Sequence, residues 1–211
     1  MTRSLSLVLF IAAMCGIVAL SNVLVQFPLQ ATIGPINLAD LLTLGAFTYP
    51  IAFLINDLTN RRFGPTQARV VVLAGFALAV FLSIWLATPR IAIASGAAFL
   101  IAQMLDVSIF DRLRQATWWR APFISTMIGS TIDTVLFFSL AFAASFVVLG
   151  PNDDFAIASS PLLGVFAMEA PRWVSWAIGD FAVKIFVGIV MLAPYGVLRS
   201  MIKPAEAPAG A

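Results

Sequence analysis

Apolar residues occupy this chain in long runs rather than in the alternating stripes of a water-soluble helix. Six runs reach the length needed to cross a bilayer: Leu5–Phe27, Ile36–Leu58, Ala68–Thr88, Ile91–Phe110, Ala121–Leu149 and Trp173–Met201. A spanning helix needs roughly 20 apolar residues for ~30 Å of hydrocarbon. The breaks between runs carry turn chemistry: Phe27-Pro28 with Gly34-Pro35, then Arg61-Arg62-Phe63-Gly64-Pro65, Pro89-Arg90, Arg112–Arg120, and Gly150-Pro151-Asn152-Asp153-Asp154. The pattern predicts an all-α, polytopic membrane protein with six transmembrane helices. A single domain is expected over residues 1–203, followed by a disordered tail at 204–211. The run after Arg3 has the outline of a signal peptide, but it continues to Phe27 without a small-x-small cleavage site and is read as a retained first helix.

Composition agrees with lipid as the solvent. Charged residues make up only 10 % and the mean hydropathy is +1.01, more apolar surface than a soluble domain can hide. The formal charge of +2 does not form one patch. Sorted by break, Arg3, Arg61, Arg62, Arg69, Arg112, Arg114, Arg120, Arg199 and Lys203 fall on one side, with Arg90 and Arg172 on the other. The positive-inside rule makes the first side cytoplasmic, with both termini on it, and no nucleic-acid partner is implied. Trp118, Trp119 and Trp173 fall at predicted helix ends, where amphipathic rings settle. The longest break, Asn152–Arg172, with an apolar Pro161–Met168 segment, lies in the membrane interface, covers an outward mouth or merely connects.

Histidine is absent and Cys15 is the sole cysteine. Those two facts remove His-based triads and relays, multi-cysteine metal sites and disulfides, so no metal or cofactor is predicted.

What remains is a set of polar residues that lipid should exclude, since a charge at the bilayer centre costs at least ~2.5–3.5 kcal/mol. In the fourth run Phe99, Gln103, Asp106 and Phe110 share one helix face; in the fifth Ser130, Asp133 and Phe137 do; in the sixth Trp173, Trp176, Asp180, Lys184 and Gly188 do. Counting rise along each helix puts Asp133 and Lys184 near the midplane, Asp180 in the outer half and Asp106 nearer the cytoplasm. Asn22 and Gln26 sit near the outer end of the first run, and Asp40 one turn inside the second.

Each has a structural alternative. Asp180 and Lys184, four apart, can neutralise one another. Asn22 and Gln26 can bond neighbouring helices. Asp57 pairs most simply with Arg61 at the cytoplasmic boundary, and Asp106 lies near Arg112. Asp133 has no counter-charge on its own helix, so it is protonated, approaches Lys184 or holds a ligand. Small residues at Ala92-x3-Gly96 and Ala94-x3-Ala98 are read as close helix packing, and Pro50 as a kink. An intramembrane enzyme pairing Asp106 with Asp133 would need both at one depth, and the predicted depths differ.

Several motifs in one order resemble a known family. They are Ser21-Asn22-x-Leu24-Val25-Gln26-x-Pro28, Asp57-Leu58-Thr59-x-Arg61-x-Phe63-Gly64 with Ala68-Arg69, and Gln103-x-Leu105-Asp106-Val107-x-x-Phe110-x-x-Leu113-Arg114-Gln115. They continue with Ala121-Pro122-x-x-Ser125-Thr126-x-x-Gly129-x-x-x-Asp133-Thr134, Asp180-x-x-x-Lys184 and Pro194-Tyr195-Gly196-Val197-Leu198. Through these the chain resembles the queuosine-precursor transporter family, also called the vitamin-uptake-transporter family.

The resemblance implies a bacterial inner-membrane importer, not an enzyme, for 7-deazaguanines such as the 7-cyano and 7-aminomethyl forms. It also implies a fold similar to the substrate-binding subunits of energy-coupling-factor importers, without requiring their ATPase module. The alternative is such a subunit, docking an ATPase through Ala12 and Gly16 for a vitamin-like cargo; a homo-oligomer stays compatible with either. A deazaguanine edge presents two adjacent donors that one carboxylate accepts together, and its flat ring suits aromatic faces. The expected substrate contacts are therefore Asn22, Gln26, Gln103, Asp133, Trp176, Asp180 and Lys184, with Asp106 in coupling or gating.

Overall fold

The computed structural model describes residues 3–202, so Lys203 and the tail 204–211 lie outside the described residues. Five helices are long and apolar enough to cross a membrane. They are α1 (Arg3–Leu24), α4 (Pro65–Leu86), α5 (Pro89–Leu113), α6 (Arg120–Phe142) and α8 (Arg172–Met201), and together they make the chain an all-α polytopic membrane protein. The molecule is inside-out relative to a soluble bundle. Phe81, Ile84, Trp85, Val135 and Phe186 are exposed on its outside, while Asn56, Gln103, Asp106, Asp133 and Lys184 are buried within. Lipid covers the first set at no cost, and the second must satisfy its polar atoms internally.

The second predicted run, Ile36–Leu58, is not one helix. A hairpin pairs β1 (Thr32–Ile33) with β2 (Ile36–Asn37) around a Gly34-Pro35 turn. Asn37 then caps a 3₁₀ turn over Leu38–Asp40, its side chain accepting from Ala39 N at 3.2 Å. A short α2 (Gly45–Thr48) follows, and α3 (Ile51–Phe63) begins after Pro50. Proline has no amide hydrogen, and the bonds around it tighten to three-residue steps, Ala52 N to Tyr49 O and Phe53 N to Pro50 O. Asn37, Asp40, Gly45 and Pro50 are cap, turn and breaker residues that an apolar average over this run hides. Asp40 consequently lies exposed at the hairpin end rather than inside a span.

The remaining limits sit close to the pattern, with two differences. α1 stops at Leu24 instead of Phe27, and α6 stops at Phe142, beyond which Ala144–Leu149 is 3₁₀. The long connection is ordered as α7 (Asp154–Ile157) and a second hairpin, β3 (Ser159–Leu162) with β4 (Phe166–Pro171).

Close approaches hold the helices at the depth of the site. Gly64, with φ of +87°, alone joins α3 to α4, a reversal that L side chains resist. At Gly129 a Cβ would stand 2.7 Å from the Phe53 ring, so α3 and α6 meet through a missing side chain. Ala94 and Ala98 of α5 are fully buried, and a Cβ on Gly96 would meet the Phe76 ring at 3.4 Å, in agreement with the packing reading.

Arg90, at the start of α5, is 96 % withdrawn from the surface. It donates to Leu140 O at 2.9 Å, Ala143 O at 2.7 Å, Gly150 O at 3.2 Å, Pro151 O at 3.1 Å and Asn152 Oδ1 at 3.0 Å. The guanidinium thus closes the last carbonyls of α6, where a positive charge also meets the negative helix end.

Candidate functional site

A cavity of about 990 Å³ opens among the helices at the hairpin end. Its size lies at the upper end for small-molecule sites. Each long helix contributes the half nearest that end. α1 supplies Ser21 and Asn22, with Gln26 in the turn just after it; α5 supplies Ser95 and Phe99, α6 supplies Asp133, Phe137 and Phe142, and α8 supplies Trp176, Asp180 and Lys184. The connection after α6 reaches over it with Phe155, Ser160 and Pro161, so this segment does border the mouth.

The floor is a charge cluster. Lys184 Nζ donates to Asp133 Oδ2 at 2.6 Å, pairs with Asp180 Oδ2 on its own helix, and donates to Thr134 Oγ1 at 3.2 Å. Thr134 in turn donates to Asp180 Oδ2 at 3.0 Å. Tyr49 donates its hydroxyl to Asp133 Oδ1 at 3.5 Å, and the Lys184 ammonium stands 5.5 Å from the Tyr49 ring centroid. Of the three readings of Asp133, approach to Lys184 is the one observed. One lysine between two aspartates leaves an acid surplus, and both partners of the Lys184–Asp133 pair are at most 5 % exposed. Such a pair persists only because neighbouring donors complete it.

The walls above are aromatic. Trp176 stands edge-on to Phe142 at 5.4 Å and stacks with Phe155 at 6.1 Å, while the Arg172 guanidinium lies 4.0 Å over the Phe155 ring. On the opposite side, Asn22 Nδ2 donates to Val18 O at 2.9 Å and Gln26 Nε2 to Asn22 O at 3.4 Å, both back along α1. Both amide nitrogens are therefore tied to carbonyls of α1 rather than bridging to a neighbouring helix.

Six of the eight residues singled out from sequence line this cavity: Asn22, Gln26, Asp133, Trp176, Asp180 and Lys184. Gln103 does not. It lies beneath the floor, wholly buried, with Asp106 one turn further down α5. Asp57 is also corrected: instead of sitting at the boundary with Arg61 it is 2 % exposed, and Ser125 donates to its Oδ1 at 3.4 Å. Four residues outside that set complete the picture. Tyr49 and Thr134 hold the floor, Phe155 the wall, and Asn56 the buried layer, donating to Asp106 Oδ2 at 2.9 Å and Gln103 O at 3.2 Å. Thr134 had a signal, being next to Asp133 and one turn above Ser130; Tyr49 and Phe155 lie beside breaks, where periodicity gives none.

No solved structure matches this chain. A family model described as "Putative vitamin uptake transporter" matches residues 43–88 and 79–198. The chain is 34 % identical over 214 residues to the "Probable queuosine precursor transporter" of Haemophilus influenzae, covering 88 % of this chain and 83 % of that protein. It is 34 % identical over 208 residues to the "Queuosine precursor transporter" of Escherichia coli, with the same coverage. To a Bacillus subtilis protein named "Probable queuosine precursor transporter" it is 24 % identical over 190 residues, covering 77 % and 73 %. Long apolar helices, a polar interior and these matches agree: the chain is a multi-pass bacterial inner-membrane transporter and belongs to the vitamin uptake transporter family, that of the queuosine precursor transporters.

Proposed function

We propose that this protein imports 7-deazaguanine precursors of queuosine, the 7-cyano or 7-aminomethyl form, and that the cavity at the hairpin end receives them from outside. The acid surplus on the cavity floor carries the reading. Lys184 satisfies one negative charge and leaves a carboxylate to accept the paired N1–H and exocyclic amine of a guanine-like edge. Asp180 is the better placed of the two acids. Both oxygens of Asp133 have protein donors, whereas Lys184 and Thr134 engage only Oδ2 of Asp180. Asn22 and Gln26 offer amide oxygens to the rest of the base, and Trp176 with Phe142 offers a face for its ring.

In this reading α2 and α3 form the sixth crossing. From Gly45 to Phe63 they rise about 28 Å, close to the hydrocarbon thickness. Both termini then face the cytoplasm, and the arginines near Gly64 and in the Arg112–Arg120 turn lie on that side.

Calorimetric binding of 7-cyano-7-deazaguanine to purified protein tests the assignment. Loss of a charged hydrogen bond costs about 1.5–3 kcal/mol, so Asp180→Asn weakens binding roughly 10- to 100-fold. Wild-type binding and uptake of labelled precursor in both Asp180→Asn and Asp133→Asn would overturn it. A subunit of an ATP-driven importer is the competing arrangement, favoured by the exposure of Ala12 and Gly16 on α1. Uptake into liposomes that contain this protein alone decides against an obligate ATPase.

A further inference from the structure

Below the cavity floor a second polar layer spans α3, α5 and α6, and the cargo reading leaves it unused. Asp57 of α3 and Asp106 of α5 are 2 % and 0 % exposed, and their carboxyls lie close enough to interact with one another. Among the described residues neither forms an ion pair with Lys or Arg. The donors that reach them are neutral: Ser125 to Asp57, and Asn56 to Asp106. Arg61 on α3 and Arg199 on α8 stand near the Tyr195 hydroxyl, and Arg61 Nε is buried without a hydrogen-bond partner. Arg69 and Arg112 are exposed.

Two buried carboxyls this close together are stable only when one carries a proton. Two ionised carboxylates in contact away from water would instead repel, with no cation paired to either among the described residues. A second observation points the same way. Asp106 Oδ1, Asn56 Oδ1 and both amide atoms of Gln103 are buried without a hydrogen-bond partner, and so is Ser130 Oγ. Gln103 is one turn above Asp106, and Ser130 one turn below Asp133, so these groups lie between the acid pair and the cavity floor. The drop from Phe99, on the cavity wall, to Asp106 is about 10 Å. Unpaired donors and acceptors in a row at this depth are groups that can hold water or guide a proton.

We propose that the Asp57–Asp106 pair is the proton-carrying site of the transport cycle, separate from the cargo cavity above it. The pair takes one proton from the cavity side, along the polar path that Ser130 and Gln103 line, and releases it at the Gly64 end as cargo enters the cell. The proposal rests on the protein being an importer of deazaguanine, and one of its tests is independent of cargo.

Infrared spectra of the purified protein at neutral pH are expected to show a carboxylic-acid C=O stretching band that is lost in Asp106→Asn and in Asp57→Asn. In liposomes, one proton per cargo makes an inward gradient of one pH unit support an about 10-fold accumulation of labelled 7-cyano-7-deazaguanine. Asp106→Asn, an isosteric neutral replacement, is expected to bind the precursor with wild-type affinity and equilibrate it without accumulating it. A trapped pH indicator then records no cargo-linked acidification. Unchanged infrared bands in both variants overturn the proposal, as does wild-type accumulation that follows a sodium gradient and ignores pH. Failure of the precursor to bind wild type refutes the cargo assignment alone, because the infrared band is read without it.

Discussion

Replacing Lys184 with glutamine removes the one positive charge from the cavity floor and leaves Asp133 and Asp180 facing each other across α6 and α8. Lys184 Nζ lies 2.6 Å from Asp133 Oδ2, and its contact with Asp180 is as short. In an effective dielectric near 20, a unit charge pair at that distance attracts by about 6 kcal/mol. Desolvation of the buried ions cancels much of this, and removing one partner of a buried pair costs about 3–5 kcal/mol net. Since Lys184 serves two acids, the upper half of that range is expected. At 2–4 °C per kcal/mol for a chain of this size, the midpoint of thermal unfolding falls by on the order of 10 °C. Melting followed by circular dichroism in detergent measures it. The double variant Lys184→Gln/Asp133→Asn is expected to melt above Lys184→Gln alone, because it removes a stranded charge, with a coupling of about 2–3 kcal/mol. A Lys184→Gln protein melting within about 2 °C of wild type would show that the two acids need no counter-charge, and the account of the floor would fail.

Three further outcomes follow from the geometry. Arg90→Lys keeps the charge but loses the fork that reaches five oxygens, so a loss of about 2–4 kcal/mol is expected in denaturant or thermal melts, with precursor affinity little changed. Gly64→Ala places a Cβ at φ of +87° between two helices and is expected to cost about 1–2 kcal/mol in the same melts. Trp176→Ala removes the ring between Phe142 and Phe155; precursor Kd is expected to rise roughly 10-fold in calorimetry, with a smaller effect for Trp176→Phe.

The solvent, the long helices and most of the charged floor are legible in the chain alone. Uninterrupted apolar length forces α1, α4, α5, α6 and α8 into lipid, and a charge left inside such a run must face inward. The helical repeat put Trp176, Asp180 and Lys184 on one stripe and Phe99, Gln103 and Asp106 on another, as they stand in the fold. Which stripes meet depends on how the helices pack. Asp133 and Lys184 are 51 positions apart, and their pairing depends on the separation and rotation of α6 against α8, which no single-helix pattern encodes. Asp57 shows the same limit from the other side. Four residues before Arg61 it reads as half of a local ion pair, but the turn of α3 at Pro50 and the missing side chain at Gly129 draw its face inward against α5 and α6. The charge cluster on the floor and the acid pair beneath it are each products of helix contact: burial made the polar residues conspicuous in the chain, and packing chose their partners.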